Sequence, residues 1–351
     1  MESLDIQATR EVQTFETCQG GRIYQIPLQV FPGFWAFAYL VLVDDPTLGK
    51  LCVLIDTGSG FGKSNQHLEQ GLHKASQLEG EQIDLASLSH IFITHGHIDH
   101  FGGLVHVRPR TTAQLGVHEL DRRVLVNYEE RLTLVANRLD MFLIDAGVDP
   151  NQRKLILDLY TITKGLFHSV PVDFTYEAVE MRLGPFEFLH VPGHCAGHVV
   201  IRLHDILFCG DHVLNDISPH QSPERLTLST GLNHYLKSLE VLYSWANGIR
   251  LTLPGHKTPI FDLQTRLDEI KTLHHNRLKQ VLELLEKPRT IVDISDRLFG
   301  EVQGYNILLA LEEAGAHVEY LYQRGFLKIS NLDLVKNGKG GVAIFYQRIY
   351  K

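Results

Sequence analysis

The chain has 351 residues, the length of two ordinary domains or of one large domain with an appendage. With 44% hydrophobic and 21% charged residues, its composition excludes a disordered or fibrous protein and is typical of a globular protein with a large core. The net charge of −8 excludes a general positive field for polyanions, so nucleic acid would need a local basic patch.

The cysteines and the start of the chain bear on the cellular compartment. None of the four cysteines lies in a C-x-x-C pair, so neither a disulfide framework nor a thiolate zinc site is indicated. The first residues lack the apolar stretch of a secretory signal, and the apolar run at 31–43 is too short to cross a bilayer. We therefore expect a cytoplasmic protein without a membrane segment.

From residue 20 to about residue 260, short apolar strands alternate with helices, which predicts sheets covered by helices. The predicted strands are Ala38–Val43, Leu51–Ile55, Ser89–Ile93, Phe186–Val191, Val199–Leu203 and Ile206–Cys209. The predicted helices are Lys63–Leu78 and Tyr235–Trp245. Residues 118–180 interrupt this alternation with helix-like apolar spacing, and we interpret them as a helical insertion.

A second domain is predicted over residues 262–351, after a first domain over residues 1–261. Its predicted helices are Leu263–Glu286, Ile294–Phe299 and Ile307–Gln323. Its predicted strands, on either side of the loop NGKGG, are Leu327–Ile329 and Val342–Tyr346. Three helices followed by a two-stranded ribbon are typical of a winged-helix domain.

One segment concentrates side chains that bind metals. The sequence IFITHGHIDHFGG begins as a buried strand and then supplies, within six residues, His95, His97, Asp99 and His100. Imidazole and carboxylate groups bind borderline ions such as Zn²⁺, and this density suffices for two ions. Side chains of the same types follow three later strands, at His194, Asp211 and His256.

The sequence THGHIDHFGG resembles the T-H-x-H-x-D-H-x-G-G motif of the metallo-β-lactamase-fold hydrolases, and the later His, Asp and His follow in that family's order. The resemblance implies an α+β fold, a four-layer αββα sandwich with the helical insertion and a C-terminal winged-helix domain. It implies one ion held by His95, His97 and His194, a second held by Asp99, His100 and His256, and Asp211 as a bridge between them.

Three further residues beside the implied ligands have alternative roles. Asp56, in LIDTG, matches the family's D-T-G, where the carboxylate orients a ligand histidine, although it can instead cap its own turn. His198 is expected to support a ligand or to pack, in preference to binding metal. Cys195 could be a ligand or a nucleophile, but we favour a small buried thiol.

The resemblance implies a metal-dependent hydrolase in which a hydroxide shared by two divalent ions attacks the substrate. We expect Zn²⁺, with Fe or Mn as alternatives, and Asp99 and Asp211 as catalytic carboxylates. Because all seven implied ligands are present, a non-enzymatic interaction protein is disfavoured.

The substrate class stays open between two hypotheses. A small ester, thioester or lactone is favoured because the helical insertion can place apolar side chains across the site. The alternative is a metal-dependent phosphodiesterase or endoribonuclease that binds RNA through the winged helix. The Lys and Arg residues of that domain only slightly outnumber its Asp and Glu, so packing or homodimer formation is an equally good expectation for it.

Overall fold

The computed structural model describes residues 10–338 and 341–350. The expectations for residues 1–9, and for Lys339 and Gly340 in the NGKGG loop, lie outside these ranges. The described strands are β1 Gln13–Glu16, β2 Arg22–Phe31, β3 Phe34–Asp45, β4 Gly49–Ile55, β5 His90–Phe92, β6 Gln114–Val117, β7 Phe174–Thr175, β8 Arg182–Leu183, β9 Phe186–His190, β10 Val199–Leu203, β11 Ile206–Gly210, β12 Leu251–Pro254, β13 Leu327–Ile329 and β14 Tyr346–Arg348. The described α-helices are α1 Ser64–Glu79, α2 Ile98–Phe101, α3 Leu104–Val107, α4 Glu119–Val126, α5 Tyr128–Ala146, α6 Pro150–Lys164, α7 Leu232–Trp245, α8 Leu263–Leu284, α9 Ile291–Phe299, α10 Asn306–Gln323 and α11 Leu332–Asn337.

Two mixed sheets form the centre of the protein. β1 to β7 lie in chain order across a seven-stranded sheet, and β12, β11, β10, β9 and β8 form a five-stranded sheet. The strands β4 to β7 pair in parallel, as do β11 and β12, whereas the neighbouring pairs are antiparallel. Parallel neighbours send their carboxyl ends to the same edge, which is where open α/β sheets bind ligands.

Alternation of apolar side chains along the strands separates three cores. In β10, Val199, Ile201 and Leu203 point into the core between the two sheets, whereas Val200 points towards helices. The inter-sheet core contains Phe92, whose ring packs edge-on against other aromatic rings at centroid distances of 5.2 Å. The other cores lie between each sheet and its helices, so the two sheets lie between two helical layers.

The interrupting segment at 118–180 is helical over most of its length. Helices α4, α5 and α6 fill it from Glu119 to Lys164. The helical interpretation is wrong for its last part, because Phe174 and Thr175 form β7 and pair with β6. This strand extends the larger sheet, so both ends of the segment are anchored on that sheet.

The C-terminal part has the expected three helices, and β13 matches its predicted bounds. The prediction of a strand at Val342–Tyr346 is wrong, because β14 begins only at Tyr346. Before it, the chain bonds elsewhere: the N–H of Ile344 donates to the carbonyl of Asp145 at 2.8 Å, and the N–H of Phe345 donates to the side chain of Asn331 at 3.0 Å. A helix, α11, also occupies part of the connection between the two strands.

One apolar core joins the smaller sheet to helices from both parts of the chain. It includes Leu207 from β11, Leu239 from α7, and Leu267 and Leu311 from α8 and α10. The insertion contributes Phe142 of α5 to the same core. Within the described ranges, no helix is both long and apolar enough to cross a bilayer.

Candidate metal centre

The turn after β5 brings four candidate ligands into one short segment. β5 ends three residues before His95, and helix α2 begins directly after His97 and contains Asp99 and His100. His95 and His100 are fully buried, whereas His97 and Asp99 are only partly buried. The segment therefore directs imidazoles and one carboxylate into the same space, with His97 and Asp99 nearest to solvent.

The other three candidate ligands follow strands of the smaller sheet. His194 lies after β9, Asp211 directly follows β11 and His256 follows β12, and all three are buried. Gly255 allows the loops to approach closely, because a Cβ atom at this position would lie 2.4 Å from Oδ1 of Asp211 and 2.6 Å from Cε1 of His100. The loops of the two sheets thus meet at a single centre.

His95, His97 and His194 form a first cluster. Nε2 of His95 lies 3.2 Å from Nδ1 of His97, and the rings of His97 and His194 have centroids 4.5 Å apart. Two imidazole nitrogens on one tetrahedral zinc ion are about 3.3 Å apart, since each Zn–N bond is about 2.0–2.1 Å long. The spacing of the first two nitrogens therefore fits a shared ion.

Asp99, His100 and His256 form a second cluster around Asp211. Nε2 of His256 lies 3.3 Å from Oδ2 of Asp99 and 3.2 Å from Oδ2 of Asp211. The same Asp211 oxygen lies 3.5 Å from Nε2 of His100. It also lies 3.9 Å from Nε2 of His194, which belongs to the first cluster. One carboxylate oxygen thus contacts both clusters, as a bridging ligand requires.

Three of the candidate ligand histidines are each oriented by a hydrogen bond from the other ring nitrogen. Nδ1 of His100 donates to Oδ2 of Asp56 at 2.8 Å, in agreement with the orienting role that the resemblance implied. Nδ1 of His194 donates to the carbonyl of His220 at 2.8 Å, and Nδ1 of His256 donates to the carbonyl of Trp35 at 2.6 Å. These bonds leave the three Nε2 atoms free to face the centre.

Four of the donor atoms that face the centre lack hydrogen-bond partners within the described chain. They are Nε2 of His100, His194 and His256, and Oδ1 of Asp211. Buried polar atoms are rarely left unpaired, because each costs about 1–3 kcal/mol. Nitrogen and carboxylate donors that converge without partners are the donor set of divalent metal ions, so the residues fit such ions.

The charges of the second cluster are strongly coupled. Burial lowers the pKa of His256, but the carboxylates of Asp211 and Asp99 outweigh it and raise that pKa to about 10. Burial likewise opposes ionisation of Asp211, yet His256 and His100 hold the pKa of Asp211 well below its usual range. The buried carboxylates of the centre are therefore ionised, and they stabilise positive charge beside them.

Asp121, at the start of the insertion, is a buried residue that the sequence did not reveal. Its carboxylate accepts the N–H of Gly96 at 2.7 Å and the N–H of Gly197 at 2.9 Å. These glycines lie in the loops of His95 and His194, so Asp121 ties two parts of the first cluster together. An acidic residue in the first turn of a helix is common, and no sequence signal distinguishes this one.

The two neighbours with alternative roles are both buried beside the first cluster. The ring of His198 stacks on His95 at a centroid distance of 4.6 Å, and its Nε2 accepts the N–H of Asp211 at 3.1 Å. Sγ of Cys195 lies within 4.8 Å of a ring nitrogen of His95 and of His97, so the three could share an ion. Burial raises the pKa of the Cys195 thiol well above its usual range, which favours the neutral thiol.

The fold and the centre define a class of metal-dependent enzymes, and comparison with known proteins gives the family. Residues 36–289 match the model of the Metallo-beta-lactamase superfamily, and the chain belongs to this superfamily. Its members bind divalent metal ions, often two, and the chain is a metallo-hydrolase of this superfamily.

Several relatives resemble this chain over different lengths. The probable metallo-hydrolase YqjP of Bacillus subtilis is 24% identical over 78% of this chain and 85% of its own length. A hydroxyacylglutathione hydrolase of Shewanella baltica is 28% identical, but over only 38% of this chain and 36% of its own. A solved metallo-beta-lactamase family protein from Thermus thermophilus superposes with a TM-score of 0.71 and 25% identity, covering 93% of this chain and 98% of that chain.

Proposed function

We propose that the protein is a di-metal hydrolase. Its first ion would be held by His95, His97 and His194, its second by Asp99, His100 and His256, and Asp211 would bridge them. The observation that carries this proposal is the convergence of unpartnered Nε2 atoms around one Asp211 oxygen. The ions would be Zn²⁺, with Fe or Mn as alternatives.

When bound, two such ions supply a water of lowered pKa and stabilise the negative charge of an attacked carbonyl or phosphoryl group. The residues of the chain position the other participants. Asp99 has 15% of its side chain exposed, and we assign it the role of accepting a proton or holding an attacking water. Asp211 is more deeply buried and holds the two clusters at a fixed separation.

We propose a small ester, thioester or lactone as the substrate. An open cleft of about 370 Å³, which includes Gly102 directly after helix α2, is lined by the apolar side chains of Phe61, Val105, Leu166 and Phe167 and by the polar side chains of Ser59, Asn65, His106 and Arg110; none of the candidate ligands lines it. In this proposal the apolar part of the cleft receives the acyl group of the substrate. The partial likeness to hydroxyacylglutathione hydrolases supports the thioester among these substrates.

Two cations of the insertion lie near the centre. Lys164 at the end of α6 acts electrostatically on Asp99 and Cys195, and Arg131 of α5 acts on Cys195 and Asp121. Burial lowers the pKa of Lys164, and the nearby guanidinium of Arg131 lowers it further. Both cations favour a substrate that carries a negatively charged group in addition to its scissile bond.

The C-terminal helices and the β13–β14 ribbon support a winged-helix-like unit for residues 262–351, which we propose as a packing or homodimer element. An RNA-guiding role would make the protein an endoribonuclease. The only slight excess of Lys and Arg in this region supports the small substrate over RNA.

A panel of substrates tests the proposed function. Metal-loaded protein would be assayed on acyl esters, thioesters and lactones, each in neutral and carboxylate-bearing form, and on a phosphodiester and single-stranded RNA. We expect turnover of a carbonyl substrate, with the carboxylate-bearing form preferred and the preference reduced in Lys164→Met. Cleavage of RNA or the phosphodiester alone would overturn the proposed substrate class.

A further inference from the structure

A single peptide group connects the C-terminal helix α10 with the ligand His194. The carbonyl of His220 accepts the Nδ1–H of His194 at 2.8 Å. The N–H of the same peptide belongs to Gln221, and it donates to Oε2 of Glu313 at 2.8 Å. Hydrogen bonds thus connect the carboxylate of Glu313 to the His220–Gln221 peptide, and this peptide to the ring of His194. The carboxylate belongs to helix α10.

Both ends of this connection are held by further contacts. Oε1 of Glu313 accepts from the guanidinium of Arg277 at 2.6 Å. The side chain of His220 donates from Nε2 to Glu312 at 2.8 Å, and Ser222 donates to the same Glu312 oxygen at 3.1 Å. Two consecutive carboxylates of α10 therefore hold this segment, Glu313 at the N–H of Gln221 and Glu312 at the side chains of His220 and Ser222.

Glu313 and two neighbouring histidines do not form a second metal site. His274 and His317 lie close enough to Glu313 to form a candidate three-ligand cluster. However, Nδ1 of His317 already donates to the carbonyl of Glu313 at 2.7 Å, and both Glu313 oxygens accept hydrogen bonds from Arg277 and Gln221. An arginine at 2.6 Å would also repel a cation, so the cluster is a buried hydrogen-bond network.

The direction of the bonds gives this network an effect on the metal centre. A carboxylate that accepts the N–H of a peptide polarises the peptide and makes its carbonyl a stronger acceptor. A stronger acceptor for Nδ1–H of His194 fixes the ring and its tautomer and makes Nε2 a better ligand. Glu313 therefore contributes to the first cluster without touching it.

We propose that Glu313 is a positioning residue for His194, acting through the His220–Gln221 peptide, so that helix α10 sets the metal affinity of the first cluster. The proposal rests on the metal centre proposed above. It assigns the C-terminal helices a role in the active site that requires neither nucleic acid nor a second subunit.

The test compares Glu313→Gln with Glu319→Gln in the full-length protein. Glu319 lies on the same helix and accepts hydrogen bonds from the N–H groups of Glu224 and Arg225 at 2.7 and 3.3 Å. It therefore holds the same segment between β11 and α7 without contacting the His220–Gln221 peptide. Co²⁺ would be titrated into metal-free protein and followed by its visible absorption. The bands of the two clusters would be assigned with His97→Ala and His256→Ala.

We expect Glu313→Gln to weaken Co²⁺ binding at the first cluster about 10–100-fold and to shift its absorption bands, with the second cluster unchanged. Glu319→Gln should bind as the unmodified protein does, even where its thermal stability falls. Equal first-cluster affinities in the two variants would overturn the positioning role. Failure of the unmodified protein to bind Co²⁺ would instead overturn the metal centre, and the positioning role with it.

Glu313→Asp provides a second variant should Glu313→Gln not fold. It keeps the negative charge beside Arg277 but shortens the side chain by one methylene group, which lengthens the bond to the N–H of Gln221, so we expect a weaker effect in the same direction at the first cluster only. An unchanged first cluster in this variant, when Glu313→Gln is unfolded, would contradict the proposal.

Discussion

The two ligand clusters differ in where their orienting groups come from. In the second cluster, His100 and His256 are oriented by Asp56 and by the carbonyl of Trp35, which belong to the larger sheet or directly follow it. In the first cluster, His194 depends on a loop fixed by helix α10, near the end of the chain. Ligands that look equivalent in the sequence are therefore supported by structures that are far apart in the chain.

The largest expected effect comes from Asp211, the residue that the two clusters share. Replacing Asp211 with Ala removes the oxygen that lies 3.2 Å from His256 and 3.9 Å from His194, so both ions should bind poorly and turnover should fall to background. His256→Ala removes a ligand of the second cluster only and should leave the first cluster occupied. Metal content, turnover and circular dichroism would be measured for both variants.

The control in this comparison is the fold itself. Since the three apolar cores do not include the ligands, both variants should keep the circular dichroism of the unmodified protein. If Asp211→Ala retained two ions and near-normal turnover, Asp211 would not be the bridge.

A smaller effect is expected from Asp56→Asn, which addresses the second cluster alone. Asp56 has a φ of +58°, a backbone conformation that Asn tolerates well, so the substitution should not strain the chain. The amide cannot accept from Nδ1 of His100 and from Thr94 as the carboxylate does, and metal affinity of the second cluster should fall about 10–100-fold. Two-site metal titration would measure this, and loss at the first cluster instead would contradict the assignment.

Asp121→Asn should affect the first cluster in turn, but less. The Asn side chain has only one oxygen to accept hydrogen bonds from the N–H groups of Gly96 and Gly197. One of these two N–H groups is therefore left buried without a partner. We expect the free energy of unfolding to fall by about 1–3 kcal/mol, together with a weaker first-cluster affinity. Chemical denaturation and metal titration would separate the two effects. Equal weakening of both clusters would show that Asp121 supports the whole centre, not its first half.

The smallest effect is expected at Thr290, which caps helix α9 without contacting the metal centre. Its hydroxyl accepts the N–H of Asp293 in a capping box at 3.2 Å. Thr290→Ala should lower the free energy of unfolding by about 1 kcal/mol and leave both metal affinities unchanged. A change in metal affinity would mean that general loosening of the C-terminal helices reaches the ligands, and it would weaken the specific role of Glu313.

The candidate ligands could be identified from the sequence because they lie in short motifs at strand ends. The candidate ligands from His95 to His100 fall within six residues of the sequence. Asp56, which orients His100, lies in a recognisable D-T-G motif. The strands that position them are apolar runs of β-branched residues, which the sequence also predicts. Local patterns thus account for β3, β4, β5, β9, β10 and β11 and for the residues that face the centre, whereas no strand is predicted at β1, β2 or β6.

Apart from Asp56, the supporting groups could not be predicted because they act through backbone atoms or over long distances. Asp121 contacts two glycine N–H groups, and the carbonyl of His220 has no side-chain signature. Glu313 reads as one acidic residue of an amphipathic helix. The strand prediction at Val342–Tyr346 failed for a related reason: Asn331 and the end of α5 provide competing hydrogen bonds that apolar periodicity does not reveal.

The apolar core shared by β11, α7, α8 and α10 bears on how the protein unfolds. Leu207 and Leu239, before the predicted boundary at residue 262, belong to the same core as Leu267 and Leu311 after it. Neither part can lose its structure without exposing the apolar side chains of the other, so the two should melt cooperatively. Calorimetry of the metal-free chain should show one heat-absorption peak, and a chain shortened at residue 262 should be prone to aggregation.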